Sequence, residues 1–182
     1  MNTGYDPRAV ANKLLDVAED RRVSLTHISL QKLLYFAHAE YLSVLKKPLI
    51  SGYFEAWQYG PVHPGVYGSF KKYGPNNITG RATNFNFVSQ SEESVDPIED
   101  EIANRIIDRL VDKIGSLSAA RLVAISHAER GPWAHVVSQR SEKTIFGTRI
   151  DNDTILSRYK YHKIPLESGP IAGEPSEDSP LE

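Results

Sequence analysis

Apolar positions recur at helical spacing along much of the chain. Val10, Leu14 and Val17 fall on one face with Ala11 and Ala18 beside them, which predicts a helix. Asp6-Pro7 opens it: an aspartate accepts from free N–H groups, and proline at the first position wastes no donor. It ends near Asp20-Arg21-Arg22. Thr26 caps a second helix running to about Leu45, with Leu30, Leu33, Leu34, Ala37, Tyr41 and Leu45 as its stripe. Tyr35, Phe36 and Leu42 widen that stripe almost all the way round, so this helix must be covered on most sides and central. Lys46-Lys47-Pro48 stops it.

Period two replaces the helical period at Tyr53–Tyr59, an aromatic-rich run that predicts a short strand, broken by Gly60-Pro61. Pro64 restarts a helix whose face is Val66, Tyr67, Phe70 and Tyr73, ended by Gly74-Pro75. Asn84–Val88 reads as a second strand pairing with the first, and the remainder to Val95 reads as loop, mobile over 89–95. Asp96 with Glu99 resembles a capping box ahead of Ile98, Ile102, Ile106, Leu110 and Ile114, with Gly115 as the stop. Ser118 caps a helix to about Glu129, Trp133–Gln139 forms a short one, and Asp151 or Asp153 starts the last. The expectation is a mainly α protein, a compact helical domain of about six helices with a short two-stranded β element. It occupies residues 1–163. Residues 164–182, rich in Pro, Glu, Ser and Gly, cannot bury enough apolar surface to offset ordering and predict a disordered acidic tail.

Charge sharpens that division. The net charge of −2 hides five acidic and no basic residues in the tail, which leaves 21 basic and 18 acidic residues, a net of +3, for residues 1–163. A body so weakly basic lacks the clustered charge of a dedicated nucleic-acid binder. Lys71-Lys72 and Arg105/Arg109 read as solvated faces. With no cysteine, disulfides, Cys–zinc sites and thiol nucleophiles are excluded. No run approaches a membrane span and the first ten residues hold no signal peptide, so the expected location is the cytoplasm.

Patterns for catalysis are missing. There is no Gly-rich phosphate loop, no nucleophile elbow and no zinc-protease histidine pair, so neither cofactor nor metal is expected. His127, Glu129 and His135 suit a hydrogen-bonded structural role better than a metal site. On the central helix Gln31, Lys32, Tyr35 and His38 admit two readings. They form a polar cluster in a pocket, or Gln31 and Lys32 lie at the solvent edge while Tyr35 tips its hydroxyl to a backbone partner. The second is carried forward.

Trp57-Gln58-Tyr59-Gly60-Pro61-Val62-His63-Pro64-Gly65-Val66-Tyr67 is the most unusual stretch, with three large aromatics and two prolines in eleven residues. It predicts a rigid corner between strand and helix, and also a contact surface, because rigid rings lose little entropy on binding. Trp57 is expected inside, Tyr59 and His63 outside. The candidate partner-binding set is Trp57, Tyr59, Gly60, Pro61, His63 and Tyr67 with Gln31, Lys32 and Tyr35 of the helix.

Read together, Leu30-Gln31-Lys32-Leu33-Leu34-Tyr35-Phe36-Ala37, Glu55-Ala56-Trp57-Gln58-Tyr59-Gly60-Pro61-Val62, Phe70-Lys71-Lys72-Tyr73-Gly74 and His127 with Gly131-Pro132-Trp133 resemble the Panacea (SocA-like) antitoxin domain, shared by GepA-type phage-associated proteins. The resemblance spans about residues 9–160. It implies an antitoxin of a two-gene toxin–antitoxin pair that neutralises a cognate protein toxin by direct binding, and it implies, for SocA-like members, delivery of the toxin to a Clp-type protease. The alternatives are a DNA-binding autoregulator, with the first two helices mimicking a helix-turn-helix, and an enzyme using Gln31, Tyr35, Tyr59 and His127 in one pocket.

Overall fold

The computed structural model describes residues 4–139, 147–162 and 164. Its helices are α1 (Pro7–Asp20), α2 (His27–Leu45), α3 (Pro64–Phe70), α4 (Glu101–Ile114), α5 (Ala119–Ser126), α6 (Pro132–Ser138) and α7 (Asn152–Arg158). The strands are β1 (Phe54–Trp57), β2 (Gly60–Val62), β3 (Thr83–Asn86), β4 (Ser91–Ser94) and β5 (Arg149–Ile150). The protein is mostly α, as expected. The tail assigned to 164–182 lies, but for Ile164, outside the described residues.

Helix α2 is the core. Leu30, Leu33, Leu34, Tyr35, Phe36, Ala37 and Ala39 are all fully buried, and Val44 is its one exposed residue. Helices α1, α3, α4, α5 and α7 and the strand β2 pack around it. The caps follow the sequence: Asp6 accepts from Arg8 N, Thr26 from Ser29 N, Ser118 from Arg121 N and Asp151 from Thr154 N.

Three expectations fail for physical reasons. First, the β structure is two sheets. β1 lies between β2 and β5, and β3 pairs with β4. Gly60-Pro61 does not break the first strand; Gln58-Tyr59 is a two-residue turn, and Gly60, Pro61 and Val62 return as β2 opposite Trp57, Ala56 and Glu55. β2 is an edge strand, where proline's missing N–H leaves no ladder bond unmade. Second, Ser91–Ser94 is a strand rather than a loop, and it pairs with β3 in the place that β1 was expected to fill. Third, α4 begins four residues later than a cap at Asp96 suggests. Asp100 is the cap: its Oδ1 accepts from Ile102 N and Ala103 N, and its Oδ2 accepts from Tyr5 and Tyr41 hydroxyls. That carboxylate therefore ties α4 to α2 and to the N-terminal segment.

Candidate docking site

The aromatic corner sits on the N-terminal half of α2, and buried polar side chains of α2 hold it there. Gln31 Oε1 accepts from His63 N at 2.8 Å, and its amide NH2 donates to His63 O at 3.5 Å. One side chain thus plays the part of a neighbouring strand for residue 63. Lys32 Nζ donates to Pro61 O at 2.8 Å. Both side chains are sealed, at 2% and 1% exposure, so neither lies at a solvent edge as the sequence suggested. Burial pulls the Lys32 ammonium down to about 7.

Gly60 makes this approach possible. It adopts φ +96°, and a Cβ there would sit 2.9 Å from Lys32 Nζ. Gly60→Ala is expected to destabilise the domain by about 2 kcal/mol through strain and the displaced lysine. Urea unfolding checks it; a loss below about 0.5 kcal/mol would mean that the turn relaxes freely.

His63 is buried at 6% exposure, not outside. Its Nε2 faces Ser51 O at 3.0 Å, and a carbonyl only accepts, so Nε2 carries the proton. Nδ1 is then free to accept from Val66 N and cap α3. Burial lowers the pKa of His63, against the opposing Ser51 bond, consistent with this neutral tautomer. Tyr35 reaches a histidine rather than the backbone. His162 Nδ1 must donate to Ile125 O at 2.9 Å, so its Nε2 accepts from the Tyr35 hydroxyl at 3.1 Å.

The outer layer is aromatic. Trp57 is half-buried, not inside as expected, and its indole N–H donates to Glu55 Oε2. Its ring meets Tyr67 at 4.7 Å, and Tyr67 meets His27 at 4.8 Å. Tyr59 is half-buried and Tyr67 exposed. From the far end of the chain, Trp133 Nε1 donates to Trp57 O at 2.8 Å, and its ring stacks on His127 at 3.6 Å. The structure thus gathers Gln31, Lys32, Gly60, Pro61 and His63 as a buried foundation, with Trp57, Tyr59 and Tyr67 nearer the surface. His27, Ser126, Trp133 and His162 complete it and were not in the predicted set. Only the Gly131-Pro132-Trp133 motif hinted at this.

The arrangement bears on the competing functions. Gln31 is committed to the His63 backbone and Tyr35 to His162, and both are sealed by packing, so neither is turned toward a cleft shared with Tyr59 and His127. Helix α2 is covered on nearly every side and has no face to lay in a DNA groove. No group of three or more metal-ligating side chains occurs among the described residues, and no described helix is long and apolar enough to cross a membrane.

The scaffold offers aromatic rings at one corner and buries polar groups beneath them. The chain matches the family described as antitoxin SocA-like, Panacea domain, over residues 30–134. Antitoxin SocA of Caulobacter vibrioides (strain NA1000 / CB15N) is 39% identical over 175 residues, covering 96% of this chain and 93% of that protein. The chain belongs to the SocA-like, Panacea-domain antitoxin family. No solved structure matches it.

Proposed function

We propose that the protein neutralises a cognate protein toxin by binding it directly, without chemistry of its own, and that the Trp57–Tyr67 corner is part of the contact. Membership of an antitoxin family implies a toxin partner. The observation that carries the mechanism is a partly exposed aromatic cluster on a corner whose backbone, at Pro61 and His63, is held from below by Lys32 and Gln31. Rings immobilised before binding lose little entropy on docking.

Expressing the neighbouring gene alone and then with this chain tests the proposal. Growth arrest that this chain relieves supports it; a neighbour that is harmless, or harmful regardless, removes it. Tyr67→Ala takes away an exposed ring and leaves the buried layer intact, and is expected to weaken toxin binding about tenfold. The finer step implied by SocA-like relatives, hand-over to a Clp-type protease in the cytoplasm, predicts a toxin half-life that shortens when this chain is present and recovers in cells lacking the protease.

A further inference from the structure

Resting on the neutralisation reading for the partner's identity, we propose that the tip of the β3–β4 hairpin is a second anchor for the toxin, and that it inserts into an apolar pocket bordered by a Lys or Arg.

The tip is the largest concentration of exposed apolar side chain among the described residues. Phe85, Phe87 and Val88 are 54%, 84% and 96% exposed. Single exposed apolar residues are ordinary, but three within four residues on one arm are not. Phe85 lies in β3 and Phe87 and Val88 in the turn after it; the strands are otherwise Thr, Asn, Ser and Glu, so this is no core strand that lost its cover.

The arm is built to hold that shape. At its root, Asn12 both accepts from Ala82 N at 2.8 Å and donates to Ala82 O at 2.9 Å, and Arg8 donates to Thr83 O. At its end, Asn86 Oδ1 accepts from Val88 N at 2.9 Å and Ser89 N at 3.2 Å, and Asn86 Nδ2 donates to Glu93 Oε1 at 2.6 Å. These bonds fix the turn that presents Phe87 and Val88. The two phenylalanine rings meet edge to face at 5.1 Å. Fixed rings on a stiff arm lower the entropic cost of insertion.

Charge defines the partner's chemistry. Phe85 stands opposite Glu92 in the ladder, so ring and carboxylate share one face of the hairpin. Glu92 accepts from the Thr83 hydroxyl, and neither Glu92 nor Glu93 has an ion-pair partner among the described residues. A pocket that takes the rings and places a cation beside Glu92 matches both features. A second copy of this chain is the weaker occupant. Its candidate receptor would be the cleft containing Arg109, Lys113 and Lys160, and a tip-to-cleft contact is head-to-tail and need not close.

The test uses the full chain and the product of the neighbouring gene. Phe87→Ser with Val88→Ser alters only exposed side chains, so the unfolding midpoint should stay unchanged. Toxin affinity is expected to fall about thirtyfold, the loss typical of a hot-spot pair, and neutralisation to fail at matched expression. Glu92→Lys should weaken binding as well and flatten its dependence on salt. If the wild-type chain neutralises and the double variant binds within twofold of it, the hairpin is not an anchor and the neutralisation reading survives. If the wild-type chain leaves the toxin lethal, the neutralisation reading falls and takes this partner with it. Sedimentation showing a wild-type oligomer that the double variant dissociates, at unchanged toxin affinity, overturns the proposal in favour of self-association.

Discussion

Between pH 6.5 and pH 4 the domain is expected to unfold. His38 and His162 are buried at 2% and 8% exposure, and burial holds both at about 4 in the folded state. Each is neutral with both nitrogens engaged: His38 donates to Asn152 and accepts from Ile50 N, and His162 links Tyr35 to Ile125. The unfolded chain takes up a proton on each ring near the ordinary value of 6.5. It therefore binds more protons than the folded chain throughout this window, and stability drops as pH falls. Each refused proton costs about 3 kcal/mol by pH 4, and His127, also held at about 4 but half-exposed, adds a smaller share. A total near 6 kcal/mol rivals the whole stability of an ordinary domain. Far-ultraviolet circular dichroism across a pH titration checks this. Helical signal that persists unchanged to pH 3.5 would show that these histidines accept protons in place.

Much of this scaffold was legible because its signals are local. Helices α1, α2 and α4 announce themselves by period, the caps Asp6, Thr26 and Ser118 are read directly, and Asp151 is one of the two starts that the sequence offers for the last helix. What escaped depends on partners distant in the chain. Asp96 and Asp100 look alike as caps; only the hydroxyls of Tyr5 and Tyr41 distinguish them. Asn84–Val88 has strand pattern, but pattern does not say which strand it pairs with. Gln31 and Lys32 look like a solvent edge because polarity argues for water. They are buried because residues 61 and 63, about thirty positions on, present backbone groups to be satisfied. The corner's composition marked it as unusual, yet its depth could not be read, since His63 becomes internal only once α2 passes beneath it. Family motifs named the same segments without telling foundation from surface.

That foundation carries the second large effect. Lys32→Ala is expected to cost about 4 kcal/mol, by leaving a cavity in α2's packing and Pro61 O without its donor. Lys32→Met fills most of the space, so only the lost hydrogen bond remains, about 1–2 kcal/mol. The two variants also separate packing from charge. Folded Lys32 releases its proton at about 7, whereas the unfolded chain keeps it to about 10.5. From pH 7 to pH 9.5 the unfolded state holds the extra proton, so wild-type stability should climb by about 3 kcal/mol. Above pH 10 the sign reverses, because Tyr41 and Tyr159 are raised to about 12 and the unfolded chain ionises first. Lys32→Met should show no climb between pH 7 and 9.5. Urea unfolding at several pH values measures both curves, and parallel slopes would mean that Lys32 stays charged in the fold. If the climb is seen, the corner is held by a lysine that is partly neutral at physiological pH. Its rings would then be positioned by a bond that does not depend on full charge, and salt should weaken toxin docking only through exposed groups such as Glu92, not through this foundation.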